Sequence, residues 1–317
     1  MAITKIYKGS QELENVVKIY KGSELVYEKE EEPSYPTNVV VFKSDSPRII
    51  TPKFTQSGVT LQYSIDNGST WNNISSGGTT ASSDEIWFRG RATGAKSLYT
   101  TYTSKNAWVF SGVASNKLHV YGDLRYLLCD NLGDNTITFN ITSYCFAGMF
   151  YGCTSLTTAP SLPATTLAGS CYHSMFRDCT SLTTAPSLPA TTLAESCYYY
   201  MFSGCTGLTT APSLPATTLV YACYYYMFYG CTSLTTAPSL PATKLAGFCY
   251  SNMFNGCTAF KVSATKIGSY QYSWRIPTSG TGTTATAWNV GMLTGTGGTF
   301  TSGPTIDTTY YVENPPV

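Results

Sequence analysis

The sequence predicts an α+β protein in which a β-rich N-terminal part precedes a stacked array of 26-residue units. Three observations support this prediction. Met-Phe pairs recur every 26 residues, and cysteines flank each pair at the same step. The residues between two flanking cysteines have apolar side chains at helical spacing. Upstream of the array, short β-branched or aromatic runs alternate with Gly, Ser, Asn and Asp clusters. The pairs begin at Met149, Met175, Met201, Met227 and Met253.

The sequence of one repeat unit predicts a strand, a turn that contains prolines, and a helix. Cys171, Met175 and Cys179 lie at positions i, i+4 and i+8, which predicts one inward face of a helix of about three turns. Ser170 precedes this segment and is a candidate N-cap. The following "TSLTTAP" predicts a short strand with Leu182 inward, and two prolines then turn the chain toward the next helix.

The N-terminal segment is itself a short repeat. "KIYKGS" begins at Lys5 and again at Lys18, with alternating apolar residues around a Gly-Ser turn, so we expect short β-hairpins. A hairpin of this size is marginal alone, which predicts that a partner or other copies order it. The predicted segments are a short-repeat attachment segment (1–32), a linker (33–37), a small β-sandwich (38–115), the repeat array (116–270) and a β-rich C-terminal cap (271–317).

A single turn motif stands out in the predicted β-sandwich. "SIDNGSTW", Ser64–Trp71, resembles the Asp-box of sialidase-like propellers. In that motif Asp66 and Gly68 form a hairpin turn and Trp71 packs beneath it. Because the chain has one copy and no arginine cluster, we expect a structural hairpin turn here.

Charge and composition exclude several functional classes. The net charge is +1 and 12% of residues are charged, so the sequence does not predict nucleic-acid binding. Between Cys145 and Cys257 the charged residues are Arg177, Asp178, Glu195 and Lys244. A neutral, Thr- and Tyr-rich surface suits a glycan or a neutral protein face. The sequence contains no run of 18 apolar residues, so it does not predict a membrane-spanning helix, and the opening residues do not resemble a secretory signal.

Titratable residues and cysteines do not predict a catalytic or metal site. The chain holds two histidines, His119 and His173, and few carboxylates in the array, so we expect neither an enzyme nor a cofactor. Cysteines eight residues apart on a helix would be roughly 12 Å apart, which is too far for a disulfide. No Cys-x2-Cys spacing typical of zinc occurs. The cysteines are therefore predicted to be free, buried and without metal.

Comparison of the units within this chain predicts a candidate binding surface. The turn and strand residues hardly vary, and the tyrosine after each leading cysteine is retained from Tyr172 onward, which predicts packing. Three later positions vary and are predicted to face outward. Exposed tyrosines offer rigid contact area with a hydroxyl group. Solvent-exposed tyrosines without a ligand and subunit packing remain alternatives. The candidate binding residues are Tyr199, Tyr200, Tyr225, Tyr226, Tyr229, His173 and Arg177.

These residue patterns resemble a known repeat family. "MFYGCTSLTTAPSLPATTLA" together with "CYYYMF" resembles the BspA-type leucine-rich repeats of bacterial surface proteins and bacteriophage structural proteins, over about residues 118–270. The resemblance implies a leucine-rich-repeat solenoid of strand-turn-helix coils. The opening "KIYKGS" copies are similar to tandem short repeats at the start of phage tail and fibre proteins.

The resemblance implies a bacteriophage virion protein: a fibre, head decoration or tail-associated adhesin made in the host cytoplasm without a signal peptide. Residues 1–32 would attach it to other virion proteins, and the solenoid would bind a host-surface glycan or protein. A homotrimer is expected by resemblance to fibres. The alternatives are a structural virion decoration without a receptor and a bacterial cell-surface adhesin. The candidate attachment residues are Ile6, Tyr7, Ile19 and Tyr20.

Overall fold

The computed structural model describes two compact units, residues 1–36 and 37–317. The first unit ends within the predicted linker. The described part of the chain contains no helix with the length and apolar character that a membrane crossing requires. The backbone is described for residues 7–8, 11–12, 18–21, 24–28, 33–53, 55–99, 108–111, 116–128 and 142–317, and side chains for 33–53, 60–91, 108–111, 116–128 and 142–317.

The first unit contains two antiparallel strand pairs. Tyr7 lies opposite Glu12 in the first pair, and Ile19 lies opposite Tyr27 in the second. Tyr20 is in the same strand as Ile19, whereas Ile6 lies outside the described residues. A role of these residues in attachment stays a prediction. The strands are β1 (Tyr7–Lys8), β2 (Gln11–Glu12), β3 (Lys18–Lys21) and β4 (Glu24–Glu28).

The second unit begins with one large sheet. Its strand order is β12-β11-β5-β9-β7-β8, and β6 and β10 form a separate two-stranded ribbon. All pairings are antiparallel except β11 with β12. The predicted small β-sandwich is therefore wrong, because the long strands join a single sheet. The strands are β5 (Val40–Arg48), β6 (Ile50–Pro52), β7 (Thr55–Ser64), β8 (Asn72–Ile74), β9 (Ser83–Tyr99), β10 (Trp108–Phe110), β11 (Leu118–Tyr121) and β12 (Leu156–Thr158).

The buried face of this sheet packs on the β6–β10 ribbon and on the first repeat unit. The Trp108 ring of the ribbon lies 4.8 Å from Phe42 and 5.0 Å from Phe88, measured between ring centroids. The Phe42 ring centroid lies 6.2 Å from that of Phe150, and the Trp108 indole N–H points at Met149 Sδ at 3.2 Å. Strand β12 belongs to the first repeat unit and pairs in parallel with β11. One hydrophobic core therefore runs from the sheet into the repeats. Residues that the sequence assigns to two domains share this sheet and this core.

The Asp-box-like turn has the predicted structural role. The Asp66 carboxylate accepts hydrogen bonds from the Thr70 amide at 2.9 Å, the Thr70 hydroxyl at 2.6 Å and the Ser64 hydroxyl at 2.7 Å. These bonds, that from the Thr70 hydroxyl above all, lower the pKa of Asp66 to about 2. The Trp71 indole N–H donates to the Gly68 carbonyl at 2.9 Å. The turn joins β7 to β8, so its residues close a hairpin.

The repeat units differ from the prediction, because the helices are absent. Among the described residues the single helical element is a 3₁₀ helix at Leu124–Leu128, and no solenoid or closed barrel is present. The α+β assignment and the strand-turn-helix solenoid are therefore wrong, and the fold is nearly all β. The physical reason is a left-handed residue at every fourth position: φ is 54° at Ser170, 54° at Ser174 and 58° at Asp178. An α-helix requires consecutive right-handed residues, so Ser170 is not a helix N-cap.

In place of each predicted helix the chain forms a series of consecutive turns, such as residues 169–178, which we call a turn run. Hydrogen bonds in the turn runs alternate between partners in the same unit and partners in a neighbouring unit. The Met175 N–H donates to the Tyr172 carbonyl of its own unit at 3.2 Å. The Tyr172 N–H donates to the Cys197 carbonyl of the next unit at 3.0 Å, and the Ser174 N–H donates to the Tyr199 carbonyl at 2.8 Å. Alternate amides are thus bonded between neighbouring units. The five units are numbered by their leading cysteines, and each unit begins two residues before its cysteine. The leading cysteines are Cys145, Cys171, Cys197, Cys223 and Cys249.

The turn run has a period of four residues, which explains why the sequence pattern resembled a helix. Cys171, Met175 and Cys179 are all fully buried, so the inward face is correctly predicted. Over nine residues, a period of 4 and the helical period of 3.6 place the same side chains inside. Leu182 is also fully buried, as predicted.

Two aromatic rows run through the interior of the repeat units. Ring centroids in the phenylalanine row are 5.6 to 5.7 Å apart with nearly parallel planes. The inner tyrosines are 1 to 2% exposed, which confirms their predicted packing role. Rings in offset stacks stabilise a core beyond their buried area. The rows consist of Phe150, Phe176, Phe202, Phe228 and Phe254, and of Tyr172, Tyr198, Tyr224 and Tyr250.

The described cysteines lie in the same hydrophobic core as these rows. All ten described cysteines are free and buried, which confirms the prediction for them. Several thiols hydrogen-bond a backbone carbonyl of the preceding unit; Cys205, for example, points Sγ–H at the Phe176 carbonyl at 3.0 Å. Burial raises the pKa of Cys153 and Cys197 to about 12, and it raises the others in the same direction. The thiols are therefore protonated and unreactive near neutral pH.

A sixth turn run, missed by the sequence analysis, follows the fifth unit. The φ angles at Ala287, Gly291 and Gly295 are 55°, 65° and 70°, again at every fourth residue. The Tyr250 N–H donates to the Trp288 carbonyl at 2.8 Å, as inner tyrosines elsewhere donate to a cysteine carbonyl. Trp288 thus takes the place of a leading cysteine. The 26-residue step is interrupted here, which hid this unit.

The segment inserted before the sixth turn run contributes to a small terminal sheet. The three strands have the order β13-β15-β14 and pair antiparallel. Trp274 of this sheet is buried against the Phe254 and Phe260 rings, so the sheet covers the end of the phenylalanine row. The strands are β13 (Val262–Ser263), β14 (Tyr272–Arg275) and β15 (Thr309–Val312).

Gly90 in β9 provides a stability test of the packing against the 3₁₀ helix. A Cβ at Gly90 would lie 1.8 Å from the Leu127 carbonyl oxygen, so Gly90→Ala must displace backbone and should cost about 3 kcal/mol. Among the described residues, no atom lies within 4 Å of a Cβ added at Gly77, and Gly77→Ala should cost about 1 kcal/mol because φ is 82°. Urea unfolding measures both variants. Equal stabilities would contradict the close approach.

Candidate functional site: a tyrosine surface

The structure brings the seven predicted binding residues together on one surface. They lie on the turn runs of the second, third and fourth units, because the 26-residue step stacks equivalent positions side by side. Four tyrosines form the centre, and we call them the tyrosine cluster: Tyr199, Tyr200, Tyr225 and Tyr226. All four are half-buried. A binding role for these residues stays a proposal.

The tyrosine cluster is held by ring contacts in two directions. Between units, the Tyr199 and Tyr225 ring centroids are 4.8 Å apart, and those of Tyr200 and Tyr226 are 4.7 Å apart with planes at 18°. Within a unit, Tyr199 meets Tyr200 edge to face at 4.8 Å, and Tyr225 meets Tyr226 at 4.5 Å. Each such aromatic pair stabilises the folded state by about 0.5 to 1.5 kcal/mol. The four rings therefore form a preorganised surface.

A histidine and an arginine extend the cluster on the second unit. The His173 ring stacks on Tyr199 at 4.7 Å with planes at 7°. The Arg177 guanidinium lies 4.8 Å from the Tyr200 ring centroid and 5.1 Å from that of Tyr151. Two rings thus hold the guanidinium in place through cation–π contacts. Its Nε is buried and has no hydrogen-bond partner among the described residues, and the residue as a whole is half-buried.

Further aromatic residues border the cluster on the fourth and fifth units. Tyr229, 42% exposed, meets Tyr226 edge to face at 5.2 Å. Tyr221 and Phe248 were not among the predicted residues. Tyr221 is 51% exposed, and the Phe248 ring contacts those of Tyr221 and Tyr225 at 5.8 and 6.0 Å. A signal existed, because the two positions before each leading cysteine also vary among the units. The aromatic surface therefore extends from His173 on the second unit to Phe248 on the fifth.

Burial keeps the imidazole and two of the phenols uncharged. Burial, with the nearby Arg177 charge as a smaller cause, lowers the pKa of His173 to about 4, so the imidazole is neutral at pH 7. Burial and the neighbouring tyrosines raise the pKa of Tyr199 and Tyr225 to about 12. These hydroxyls stay protonated and can both donate and accept hydrogen bonds. Arg177 supplies the positive charge.

The predicted outward direction of the variable positions is only partly correct. Ser174, Ser203 and Ser251 occupy these positions and are 0 to 3% exposed. Ser174 hydrogen-bonds through Oγ to His173 Nδ1 at 3.0 Å, beneath the surface. A small side chain is covered by its larger neighbours, whereas a tyrosine ring reaches beyond them. Exposure at these positions therefore depends on side-chain length as well as backbone direction.

Two members of the cluster have an unusual backbone conformation. The φ angle is 56° at Tyr200 and 55° at Tyr226. Equivalent positions in the first, fifth and sixth units hold Gly148, Asn252 and Gly291, which tolerate this conformation well. A bulky residue there costs about 1 kcal/mol or more, and such strain is often found at functional sites. Folding alone does not account for tyrosine at these positions.

A search for a metal site and comparisons with known proteins identify no further site in the described residues. In the described ranges, no three or more His, Cys, Asp and Glu residues are grouped to hold a metal ion. Compared with models of protein families, with curated proteins and with solved structures, the chain matches none. The site is therefore defined by its own geometry.

Proposed function

We propose that this chain is a non-enzymatic binding protein of a bacteriophage particle, and that the tyrosine cluster contacts a glycan or protein on the host cell surface. The observation that carries the proposal is the continuous aromatic surface across neighbouring units, with Arg177 at one end and Tyr229 at the other. The contact would be made by ring faces and phenol hydroxyls.

Ring packing favours binding by lowering its entropic cost. Each cluster ring is already held by at least two neighbours, so little side-chain freedom remains to be lost on association. Tyrosine and arginine are enriched among residues that dominate binding energy. The strained Tyr200 and Tyr226 backbones also favour a role beyond folding.

The assignment to a phage particle rests on the sequence. The opening "KIYKGS" repeats resemble those of phage tail and fibre proteins, so residues 1–32 are proposed to attach to other virion proteins and to associate the copies, as a trimer by resemblance. The proposed location is the virion surface. A structural decoration whose tyrosines pack against its own particle is the alternative, and the experiment below separates the two.

Binding to intact cells tests the proposal. Wild-type protein should bind a restricted set in a panel of bacteria, and replacing all four cluster tyrosines by Ser should weaken binding at least 100-fold, because hot-spot aromatics contribute about 1 to 2 kcal/mol each. Tyr270→Ser with Tyr272→Ser is the control, since both lie in the terminal region away from the cluster and Tyr272 is 45% exposed. Circular dichroism monitors folding.

A single replacement at an exposed tyrosine separates a loss of binding from a loss of folding. Tyr229→Ser removes the ring that is 42% exposed and should weaken binding several-fold without affecting the fold. Equal binding by the wild-type and cluster variants would contradict the proposal. Absence of binding to every strain, with the tyrosines protected from iodination in intact particles, would favour the structural decoration.

A further inference from the structure

A groove of about 400 Å³ lies beside the tyrosine cluster, across the first three repeat units. One aromatic wall consists of His173 and Tyr199, which stack on each other, and Tyr144 of the first unit also lines the groove. Glu195 supplies a carboxylate. The groove has the size of a small-ligand site and adjoins the proposed binding surface through Tyr199.

The groove is open at the second unit because glycine stands there at a position where the third and fourth units have large side chains. Gly169 occupies the position held by Glu195 in the third unit and by Tyr221 in the fourth. Among the described residues, a Cβ at Gly169 would meet the Ser143 hydroxyl at 3.5 Å and the Glu195 carbonyl at 3.8 Å, which are ordinary contacts. The space above Gly169 is therefore open, and a large side chain there would fill it.

The groove combines hydroxyl groups with aromatic surface. Ser143, Ser170 and Ser196 line it and carry hydroxyls that donate and accept hydrogen bonds. The Glu195 carboxylate is a strong acceptor for hydroxyl protons. A ligand suited to these groups has many hydroxyls and an apolar face that packs on rings, which describes a sugar ring.

Charge narrows the ligand class. Glu195 is exposed and carries the negative charge, whereas His173 is neutral at pH 7 because burial lowers its pKa. Acidic sugars would place a second negative charge beside Glu195, which is unfavourable. A cationic peptide would use Glu195 but leave the three serine hydroxyls without matching groups. A neutral saccharide uses all of these features.

We propose that this groove is a binding subsite for one or two rings of a neutral saccharide, with the ring packed on His173 and Tyr199 and its hydroxyls bonded to Glu195 and the serines. The inference rests on the proposed function, because it names the ligand class of that host-binding surface. The groove would hold one end of a glycan whose remaining rings cross the tyrosine cluster.

The test measures oligosaccharide binding by titration calorimetry on the full chain. The probes are maltotetraose, cellotetraose, chitotetraose and β-1,4-galactotetraose, with 3′-sialyllactose as the acidic comparison. Gly169→Tyr fills the groove with the side chain that the fourth unit already has at this position. Gly247→Tyr is the matched control: it is equivalent by repeat, lies in the fifth unit, and its Cβ would make ordinary contacts with Tyr221 and Thr286.

We expect at least one neutral probe to bind, with affinity reduced at least tenfold by Gly169→Tyr and changed less than twofold by Gly247→Tyr. Glu195→Gln keeps the shape and should weaken binding about fivefold, since charge-assisted hydrogen bonds are lost. Failure of all four neutral probes, preference for sialyllactose, or binding unaffected by Gly169→Tyr would overturn the inference. Cell binding that is lost in the cluster variant but kept in Gly169→Tyr would overturn the groove alone and leave the proposed function intact.

Discussion

Raising the pH from 8 to 11 should unfold the second unit, residues 37–317, in one cooperative transition. Ten described thiols are free and buried, and burial raises the pKa of each, to about 12 for Cys145, Cys153, Cys197 and Cys257. An unfolded thiol has a pKa of about 8.5. Above that pH the unfolded state loses protons that the folded state retains, so the free energy of unfolding falls as pH rises.

The expected size of this effect is large. The stabilising contribution of the buried thiols is fully present below about pH 8.5. Above that pH, each thiol that ionises only in the unfolded state lowers the free energy of unfolding by about 1.4 kcal/mol per pH unit. Ten such groups exceed the whole stability of an ordinary domain within about one to two units. Buried inner tyrosines, whose pKa is also raised by burial, act in the same direction above about pH 10.

Urea unfolding at a series of pH values measures the slope. Replacing Cys179 and Cys205 by Ser removes two titrating groups and keeps a hydroxyl able to donate to the same carbonyls. The slope between pH 9 and 10 should therefore decrease by about 2.7 kcal/mol per pH unit. Thiolate absorbance that appears before the tertiary signal is lost would contradict the burial of these groups.

Phe202→Ala should be among the most destabilising single replacements, at about 4 kcal/mol. Phe202 is fully buried at the centre of the phenylalanine row, with Phe176 at 5.6 Å and Phe228 at 5.7 Å. Removing its ring leaves a cavity between two rings whose positions are set by inter-unit hydrogen bonds, so little collapse is available.

Chemical denaturation measures the free energy of unfolding of Phe202→Ala, and two further variants serve as comparisons. Phe202→Leu fills much of the space and should cost about 1 to 2 kcal/mol. Phe300→Ala removes a partly buried ring near the terminal sheet and should also cost less than Phe202→Ala. A loss below about 1 kcal/mol for Phe202→Ala would show that the row does not support neighbouring units.

The inward-facing side chains of the repeats were predictable from the sequence, whereas the backbone conformation was not. The 26-residue step and the apolar positions correctly placed Cys171, Met175 and Leu182 inside. They did not separate a helix from a turn run, because apolar spacing reports which side chains face inward and carries no information on φ. A serine in a left-handed conformation, such as Ser174, looks ordinary in the sequence.

The candidate surface was predictable for a different reason. Comparison among units identified Tyr199 and its neighbours because these positions vary while the interior does not. Their ring contacts, the low pKa of His173 and the groove over Gly169 depend on which side chains become neighbours after stacking. Residues 26 apart in sequence meet side by side, and single-unit reasoning cannot reveal those pairings.

The inter-unit hydrogen bonds have a consequence for how such a chain can evolve. Donor and acceptor are separated by a constant offset, as in Tyr198 N–H to the Cys223 carbonyl and Tyr224 N–H to the Cys249 carbonyl. Exchange between the near-identical "TTAPSLPAT" segments would add or delete one whole unit and leave every remaining donor opposite an acceptor. The gene can thus shuffle its surface rings in steps of one unit, producing new tyrosine, histidine and glycine neighbours while the interior is inherited unchanged.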